Sequence, residues 1–209
     1  MPDKIVHLVR QIARELGDAP LLFPPVESAT NLPAPLLPLY SFSDGLELPF
    51  LRFARTDEIH ELTHHHLFGE HWIWFGEDFG FTDYLCRFDT EDGGFPVASW
   101  DRESDTPIKG THRSVLDLLH EEYSRFVEND QHVADLHVSA VPPDAVPMQV
   151  VRVIRSLNSQ AVSGLSADLR DLPLVLDSIP CDLAIEAVRT ILGTGATAFL
   201  RNVRPRTAG

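Results

Sequence analysis

Five of the ten histidines lie between positions 60 and 71, and two of these five have the spacing of zinc ligands. His60-Glu61-Leu62-Thr63-His64 matches the pattern H-E-x-x-H, in which two histidines four residues apart on a helix hold zinc and the glutamate is the general base. A third ligand would have to come from elsewhere in the chain. One hypothesis for the function is therefore a zinc metallohydrolase that uses His60 and His64.

The helix that would carry these residues argues against the metal site. Thr56 is predicted to cap this helix and Gly69 to follow its end. The positions predicted to face inward are Ile59, Leu62 and His66 or Leu67. His60, Glu61 and His64 are then left toward solvent. A solvated histidine-rich helix is therefore preferred, and no metal or other cofactor is expected.

Other catalytic patterns are weaker still. No G-x-S-x-G elbow occurs, and Gly193-Thr194-Gly195 follows a predicted helix, whereas a phosphate-binding loop would precede one. Paired carboxylates lie in predicted turns, where acidic residues solvate the chain. Cys86 and Cys181 fall in different predicted domains, which argues against a disulfide and against a cysteine-ligated zinc site. The sequence predicts that the protein is not an enzyme.

The acidic residues are concentrated in one part of the chain. The net charge is −14, and residues 1–130 hold ten Lys and Arg against 24 Asp and Glu, while residues 131–209 hold seven of each. This break in charge predicts a domain boundary near residue 130. Phosphate contacts need Lys and Arg, so the first domain is not expected to bind nucleic acid directly. A basic protein partner would instead be attracted to it.

The centre of the first domain is predicted to be a three-stranded antiparallel meander. Its strands cover Trp72–Phe75, Tyr84–Phe88 and Phe95–Trp100, and polar turns at Glu77–Gly80 and Thr90–Gly94 join them. From Glu70 to Asp105 there are ten Asp or Glu against two Arg. The residues predicted to contact a protein partner are Glu77, Asp78, Asp83, Glu91, Asp92, Trp100 and Asp101.

Helices are predicted around this meander, which makes residues 1–130 an α+β domain. An amphipathic helix covers residues 4–16, with Asp3 as N-cap and Gly17 after its end. A short helix turns Leu36, Leu37 and Tyr40 inward, a strand covers residues 46–54 with an interruption at Pro49, and Thr106–Gly110 is a loop. The last helix runs from Ser114 to Val127. Its predicted buried residues are Val115, Leu118, Leu119, Tyr123 and Phe126.

Residues 131–203 are predicted to form a second, smaller domain with the order β-α-α-β-α-β. Strands cover 133–141, 174–179 and 196–202, and helices cover 146–157, 161–171 and 181–192, with Pro180 at the first helical position of the last. Residues 204–209 are predicted to be a mobile tail. Neither a signal peptide nor a membrane-spanning segment is predicted, so a cytoplasmic location without membrane contact is expected.

Residues 20–128 resemble the SUKH superfamily, which includes yeast cell-wall synthesis regulators and bacterial immunity proteins. The resemblance begins at Leu36-Leu37-Pro38-Leu39-Tyr40-Ser41-Phe42-Ser43-Asp44-Gly45. It continues through Trp74, Gly76, Gly80, Asp83, Tyr84 and Asp89, and its closing helix matches Ser114 to Phe126. The resemblance implies an α+β fold and a protein-binding role without catalytic residues. The expected function is an immunity-type protein that neutralises a basic toxin domain such as a nuclease.

Residues 133–203 resemble the C-terminal domain of the bacterial ribosomal stalk protein. Val150-Val151-Arg152-Val153-Ile154-Arg155 lies where that domain has a Val-Ile-Lys-x-hydrophobic-Arg helix, and Leu183 to Ala196 matches its last helix and Gly-Ala turn. The stalk domain contacts translation factors through a lysine-rich stretch, and Ser159–Asp168 holds no lysine. Arg152 and Arg155 are therefore the candidate contacts. A translation- or ribosome-associated factor is a further alternative function.

Overall fold

The computed structural model describes residues 2–17, 21–25, 32–62, 72–87, 97–104, 106–128, 131–142, 147–157, 169 and 172–206. The fold is α+β with two antiparallel sheets, as predicted. The chain divides into two compact units, Met1–Arg10 with Pro20–Ser124, and Gln11–Ala19 with Arg125–Gly209. The second unit therefore takes in residues 11–19, which the sequence analysis assigned to the first domain. In the described part of the chain, no helix is both long and apolar enough to cross a membrane.

The helices before residue 130 form where hydrophobic residues recur at helical spacing. They are α1 (Pro2–Leu16), α2 (Leu37–Tyr40), α3 (Thr56–Leu62) and α4 (Val115–Glu128). All five residues predicted to be buried on α4 are 5% exposed or less, which confirms the periodicity there. Asp3 lies inside α1, so it is not the N-cap. Leu37 is 39% exposed and Leu39 is buried in its place, so the prediction that Leu37 faces inward was wrong.

Seven strands form the first sheet, and each pairs antiparallel with the next one along the chain. They are β1 (Leu21–Leu22), β2 (Leu46–Glu47), β3 (Leu51–Phe53), β4 (Trp72–Asp78), β5 (Thr82–Arg87), β6 (Val97–Asp101) and β7 (Thr106–His112). The meander of β4, β5 and β6 was predicted, but β4 continues through Asp78, so the prediction that Glu77 and Asp78 lie in a turn was wrong. The strand predicted over residues 46–54 is interrupted at Pro49, as expected, and its two parts, β2 and β3, pair with each other. Thr106–Gly110 belongs to β7, so the predicted loop was wrong.

The turn Ser43-Asp44-Gly45 fixes the start of α3. The Asp44 carboxylate is 3% exposed and accepts hydrogen bonds from the Thr56 N–H at 2.9 Å and from the Thr56 hydroxyl. Glu58 accepts from the Arg55 N–H at 2.7 Å. Thr56 is thus the first residue of α3 and not its cap, which was the role predicted for it. The carboxylates of Asp44 and Glu58 accept hydrogen bonds from N–H groups at the start of the helix and supply the cap.

The second unit contains a three-stranded sheet in the order β10-β8-β9. Its strands are β8 (His132–Ala140), β9 (Leu174–Pro180) and β10 (Thr197–Pro205), and its helices include α5 (Met148–Leu157) and α6 (Cys181–Leu192). Pro180 is the N-cap of α6, whereas it was predicted at the first helical position, which Cys181 occupies. The predicted helix at 161–171 lies outside the described residues except for Leu169. Arg204 and Pro205 belong to β10, so the predicted mobile tail was wrong at these positions.

The C-terminal half of α1 is held in the second unit by an ion pair whose carboxylate is buried. Glu15 is 3% exposed, and the Arg189 guanidinium of α6 donates to its two carboxylate oxygens at 3.0 and 2.9 Å. Gln11 donates to the same carboxylate at 2.9 Å. Gly17, at φ +64°, lies so close to β10 that a Cβ there would overlap the carbonyl oxygen of Leu200. Residues 11–17 are therefore an integral part of the second unit's packing.

A second buried carboxylate shapes the small sheet. Asp135 lies on the central strand β8 and accepts hydrogen bonds from the Ser178 N–H at 3.0 Å, the Asn202 amide at 2.7 Å and the Arg204 guanidinium at 3.0 Å. Ser178 and Asn202 both have positive φ, at 56° and 50°, and both lie where the strand register shifts. Asp135 thus stabilises an irregular position in each edge strand of this sheet.

Candidate protein-contact surface

The strand register of the first sheet brings five of the seven predicted contact residues to one end of the sheet. Glu77 on β4 pairs with Asp83 on β5, and Asp83 pairs with Trp100 on β6. Asp78 follows Glu77, and Asp101 follows Trp100, so both lie one position further along. The remaining two, Glu91 and Asp92, are outside the described residues. We call the five residues at this end of the sheet, together with Glu103 in the turn after β6, the acidic end.

Two of the carboxylates at the acidic end bind groups of the neighbouring strands and turn. Glu77 is half-buried and lies 3.1 Å from the Arg102 guanidinium and 3.6 Å from that of Arg52. Asp78 accepts hydrogen bonds from the N–H groups of Gly80 at 2.9 Å and Thr82 at 2.8 Å, which closes the turn between β4 and β5. These two side chains therefore stabilise the sheet as well as contributing negative charge.

Asp83 and Asp101 differ in burial, and their pKa values move in opposite directions. Asp83 is 7% exposed and accepts a hydrogen bond from the Trp74 indole at 2.8 Å. Burial raises the pKa of Asp83, since desolvation outweighs that hydrogen bond and the charge of Arg102. The Ser104 hydroxyl and the Glu103 N–H bind Asp101 at 2.9 and 2.8 Å and lower the pKa of its carboxyl. Asp83 is thus largely withdrawn from solvent, while Asp101 stays a charged group of the outer turn.

Sequence reasoning missed two phenylalanines at the acidic end. Phe79 and Phe81 are 59% and 60% exposed, and with Gly80 they form the turn between β4 and β5. We call these three residues the aromatic turn. Arg102 donates to the Gly80 carbonyl at 2.8 Å through its guanidinium and to the Phe81 carbonyl at 2.8 Å through its N–H. A signal was available, because large apolar residues on both sides of a turn glycine are unusual where polar residues normally stand.

The catalytic alternatives gain no site in the described part of the chain. His60 lies on α3 but its side chain, like His64, is outside the described residues, and no group of three His, Cys, Asp or Glu among those described could hold a metal. Ser99, His112 and Glu121 form a hydroxyl–imidazole–carboxylate series, with Oγ···Nε2 at 3.1 Å and Nδ1···Oε2 at 3.3 Å. Ser99 and His112 are each 6% exposed, so a substrate cannot reach the hydroxyl.

The predicted contacts of the second domain lie on α5. Arg152 and Arg155 are both exposed, three residues apart on this helix. A groove of about 140 Å³ lies in the same unit between α5 and α6, and Val153, Leu157, Leu183 and Ala187 supply its apolar lining. Both arginines are therefore available to solvent beside a partly apolar helical surface.

The chain was compared with protein families, curated proteins and solved structures, and none of these comparisons found a relative. The resemblances to the SUKH superfamily and to the ribosomal stalk domain therefore stay predictions.

Proposed function

We propose that this protein is a non-enzymatic binding module whose first unit docks a basic protein at the acidic end. The observation that carries the proposal is the strand register, which gathers Glu77, Asp78, Asp83 and Asp101 from three neighbouring strands. Such a cluster speeds encounter with a cationic surface and disfavours anionic partners. The partner class expected from the SUKH resemblance, a basic toxin domain such as a nuclease, meets this requirement.

The charge that acts on a partner comes mainly from the outer carboxylates of the acidic end. Arg52 and Arg102 offset part of the charge of Glu77, and Asp83 is buried. Glu103 is exposed, and the pKa of Asp101 is lowered, which favours the charged form of the Asp101 carboxyl. A cytoplasmic location fits two buried cysteines that are both free thiols.

Association kinetics with a purified basic protein, such as a candidate toxin domain encoded beside this gene, test the proposal. We expect the association rate constant to fall steeply with added salt, and Glu103→Lys to lower it by roughly three- to tenfold at low salt. Glu128→Lys makes the same charge change at the exposed end of α4 and should have little effect. A rate that is indifferent to salt and to Glu103→Lys would contradict the proposal.

The metallohydrolase alternative has a separate test, because the side chain of His60 and the whole of His64 are outside the described residues. Stoichiometric zinc in the purified protein that is lost on His64→Ala would favour that function over protein binding.

A ribosome-associated role predicts co-sedimentation with ribosomes that is weakened by Arg152→Glu.

A further inference from the structure

We propose that the aromatic turn is the apolar anchor of the acidic end, and that Phe79 and Phe81 insert into an apolar recess bordered by Lys or Arg on a basic partner. This inference rests on the proposed function and names the contact that provides affinity. Charge alone mainly sets encounter rate and selectivity, whereas a few desolvated aromatic side chains usually dominate the binding energy.

The exposure of the two phenylalanines is the first observation behind this assignment. Each leaves more than half of its surface in water, at 59% and 60%, within three consecutive residues. Aromatic side chains at the centre of an interface contribute large contact area with few rotatable bonds. Two exposed phenylalanines on either side of a turn glycine therefore have the composition of an anchor.

The rigidity of the aromatic turn is the second observation. The Asp78 carboxylate binds the N–H groups of Gly80 and Thr82, and Arg102 binds the carbonyl groups of Gly80 and Phe81. Four hydrogen bonds thus fix the backbone that carries the phenylalanines. A partner that binds this turn does not have to order a loop, so less of the binding energy is lost to conformational entropy.

The charges around the aromatic turn select its occupant. Asp78 directly precedes Phe79 in the chain. The Arg102 N–H donates to the Phe81 carbonyl, and this hydrogen bond places Asp101 and Glu103, the neighbours of Arg102, beside the aromatic turn. Carboxylates favour a rim of Lys or Arg on the partner, and a guanidinium can also stack on a phenylalanine ring. The same carboxylates oppose an anionic lipid surface and a phosphate backbone. A basic protein with an apolar recess is therefore the occupant that the surface fits.

A displayed library of random peptides, selected on the wild-type protein, tests this inference without a known partner. We expect the selected peptides to combine Lys or Arg with Trp, Phe, Leu or Ile. Synthetic copies should bind the Phe79→Ser/Phe81→Ser variant about 10- to 100-fold more weakly than wild type. Leu22→Ser/Leu37→Ser removes two other exposed apolar side chains of the first unit, at 43% and 39% exposure, and should leave the peptide affinity unchanged.

The outcomes separate this inference from the proposed function. Peptides whose binding is weakened by salt and by Glu103→Lys but not by Phe79→Ser/Phe81→Ser would leave the proposed function standing and overturn the anchor. Failure to select any peptide that needs either feature would overturn both. Binding of wild-type protein to phosphatidylserine vesicles that depends on the two phenylalanines would replace the protein partner by a membrane. Unchanged thermal unfolding of the double variant shows that the fold is retained.

Discussion

Arg189→Met removes the cation that pairs with the buried Glu15 carboxylate and holds the C-terminal half of α1 in the second unit. Breaking a fully buried pair costs about 3–5 kcal/mol, because a charge is left without its partner. Glu15 has a side chain only 4% exposed, but that of Arg189 is 44% exposed, so water can reach part of the site once the guanidinium is gone. Gln11 still donates to the carboxylate. We therefore expect a loss of about 2–3 kcal/mol in the free energy of unfolding of the second unit.

The two cysteines make this loss measurable in the second unit alone. Cys181 lies in that unit, at the start of α6, and Cys86 lies in the first unit, and both are buried. Burial raises the pKa of each thiol to about 12, so neither is reactive in the folded state. Pulsed thiol labelling along a urea titration gives one midpoint per cysteine. With a slope of about 1–3 kcal/mol per molar urea, Arg189→Met should lower the Cys181 midpoint by about 0.7–3 M.

Two further variants make the experiment decisive. Arg155→Met makes the same change on the exposed face of α5 and should leave the Cys181 midpoint within experimental error of wild type. Glu15→Leu/Arg189→Met replaces both charges by apolar groups and should recover most of the loss, because no buried charge is left unpaired. If the double variant is as unstable as Arg189→Met, or if Arg189→Met matches Arg155→Met, removal of the Arg189 cation from the Glu15 carboxylate is not the cause.

Two other buried carboxylates lead to predictions that urea midpoints measured against pH can check. Asp135→Asn should lower the free energy of unfolding by about 2–3 kcal/mol at neutral pH, because one carboxylate accepts three hydrogen bonds, and the exposed Asp177→Asn serves as its control. Burial acts to raise the pKa of Asp135, but the hydrogen bonds to its carboxylate outweigh burial, so the net shift is downward. The stabilisation by this carboxylate is therefore fully present above the ordinary Asp pKa of about 3.9, and it is lost as pH falls through the lowered pKa. For Asp83 the sign is opposite, because its pKa is raised in the folded state, which therefore binds more protons than the unfolded state. The free energy of unfolding should fall as pH rises from about 3.9 through the raised pKa. Asp83→Asn should remove this pH dependence. A pH profile of Asp83→Asn that matches wild type would exclude this carboxyl as the source.

Hydrophobic periodicity accounts for most of the fold that could be predicted. The buried face of α4 and the meander of β4 to β6 follow from it, because both segments bury a regular stripe or strand. The same reasoning failed at β7, where Pro107 and Gly110 are typical of a loop. Within the described sheet β7 has a strand on one side only, and an edge strand tolerates both residues.

The contacts that decide the second unit and the candidate surface were beyond periodicity. Glu15 and Arg189 are 174 residues apart in the sequence, and neither has a local pattern that pairs it with the other. The concentration of acidic residues was recognised, but Glu77 and Asp78 lie on β4 and not in the predicted turn, and whether a carboxylate points outward depends on its neighbours across the sheet. Asp83 is buried because the Trp74 indole lies against it, and that contact depends on the register of β4 and β5.

The division of α1 between the two units has a consequence for folding during synthesis. Residues 11–19 leave the ribosome before any part of the first unit's sheet, while the helix that completes their packing comes near residue 189. At a synthesis rate of about 5–20 residues per second, roughly 10–35 s pass between the synthesis of Glu15 and that of Arg189. The second unit is therefore assembled after translation of the first, from one segment made early and one made late, and residues 1–130 emerge before the arginine that binds Glu15 has been made.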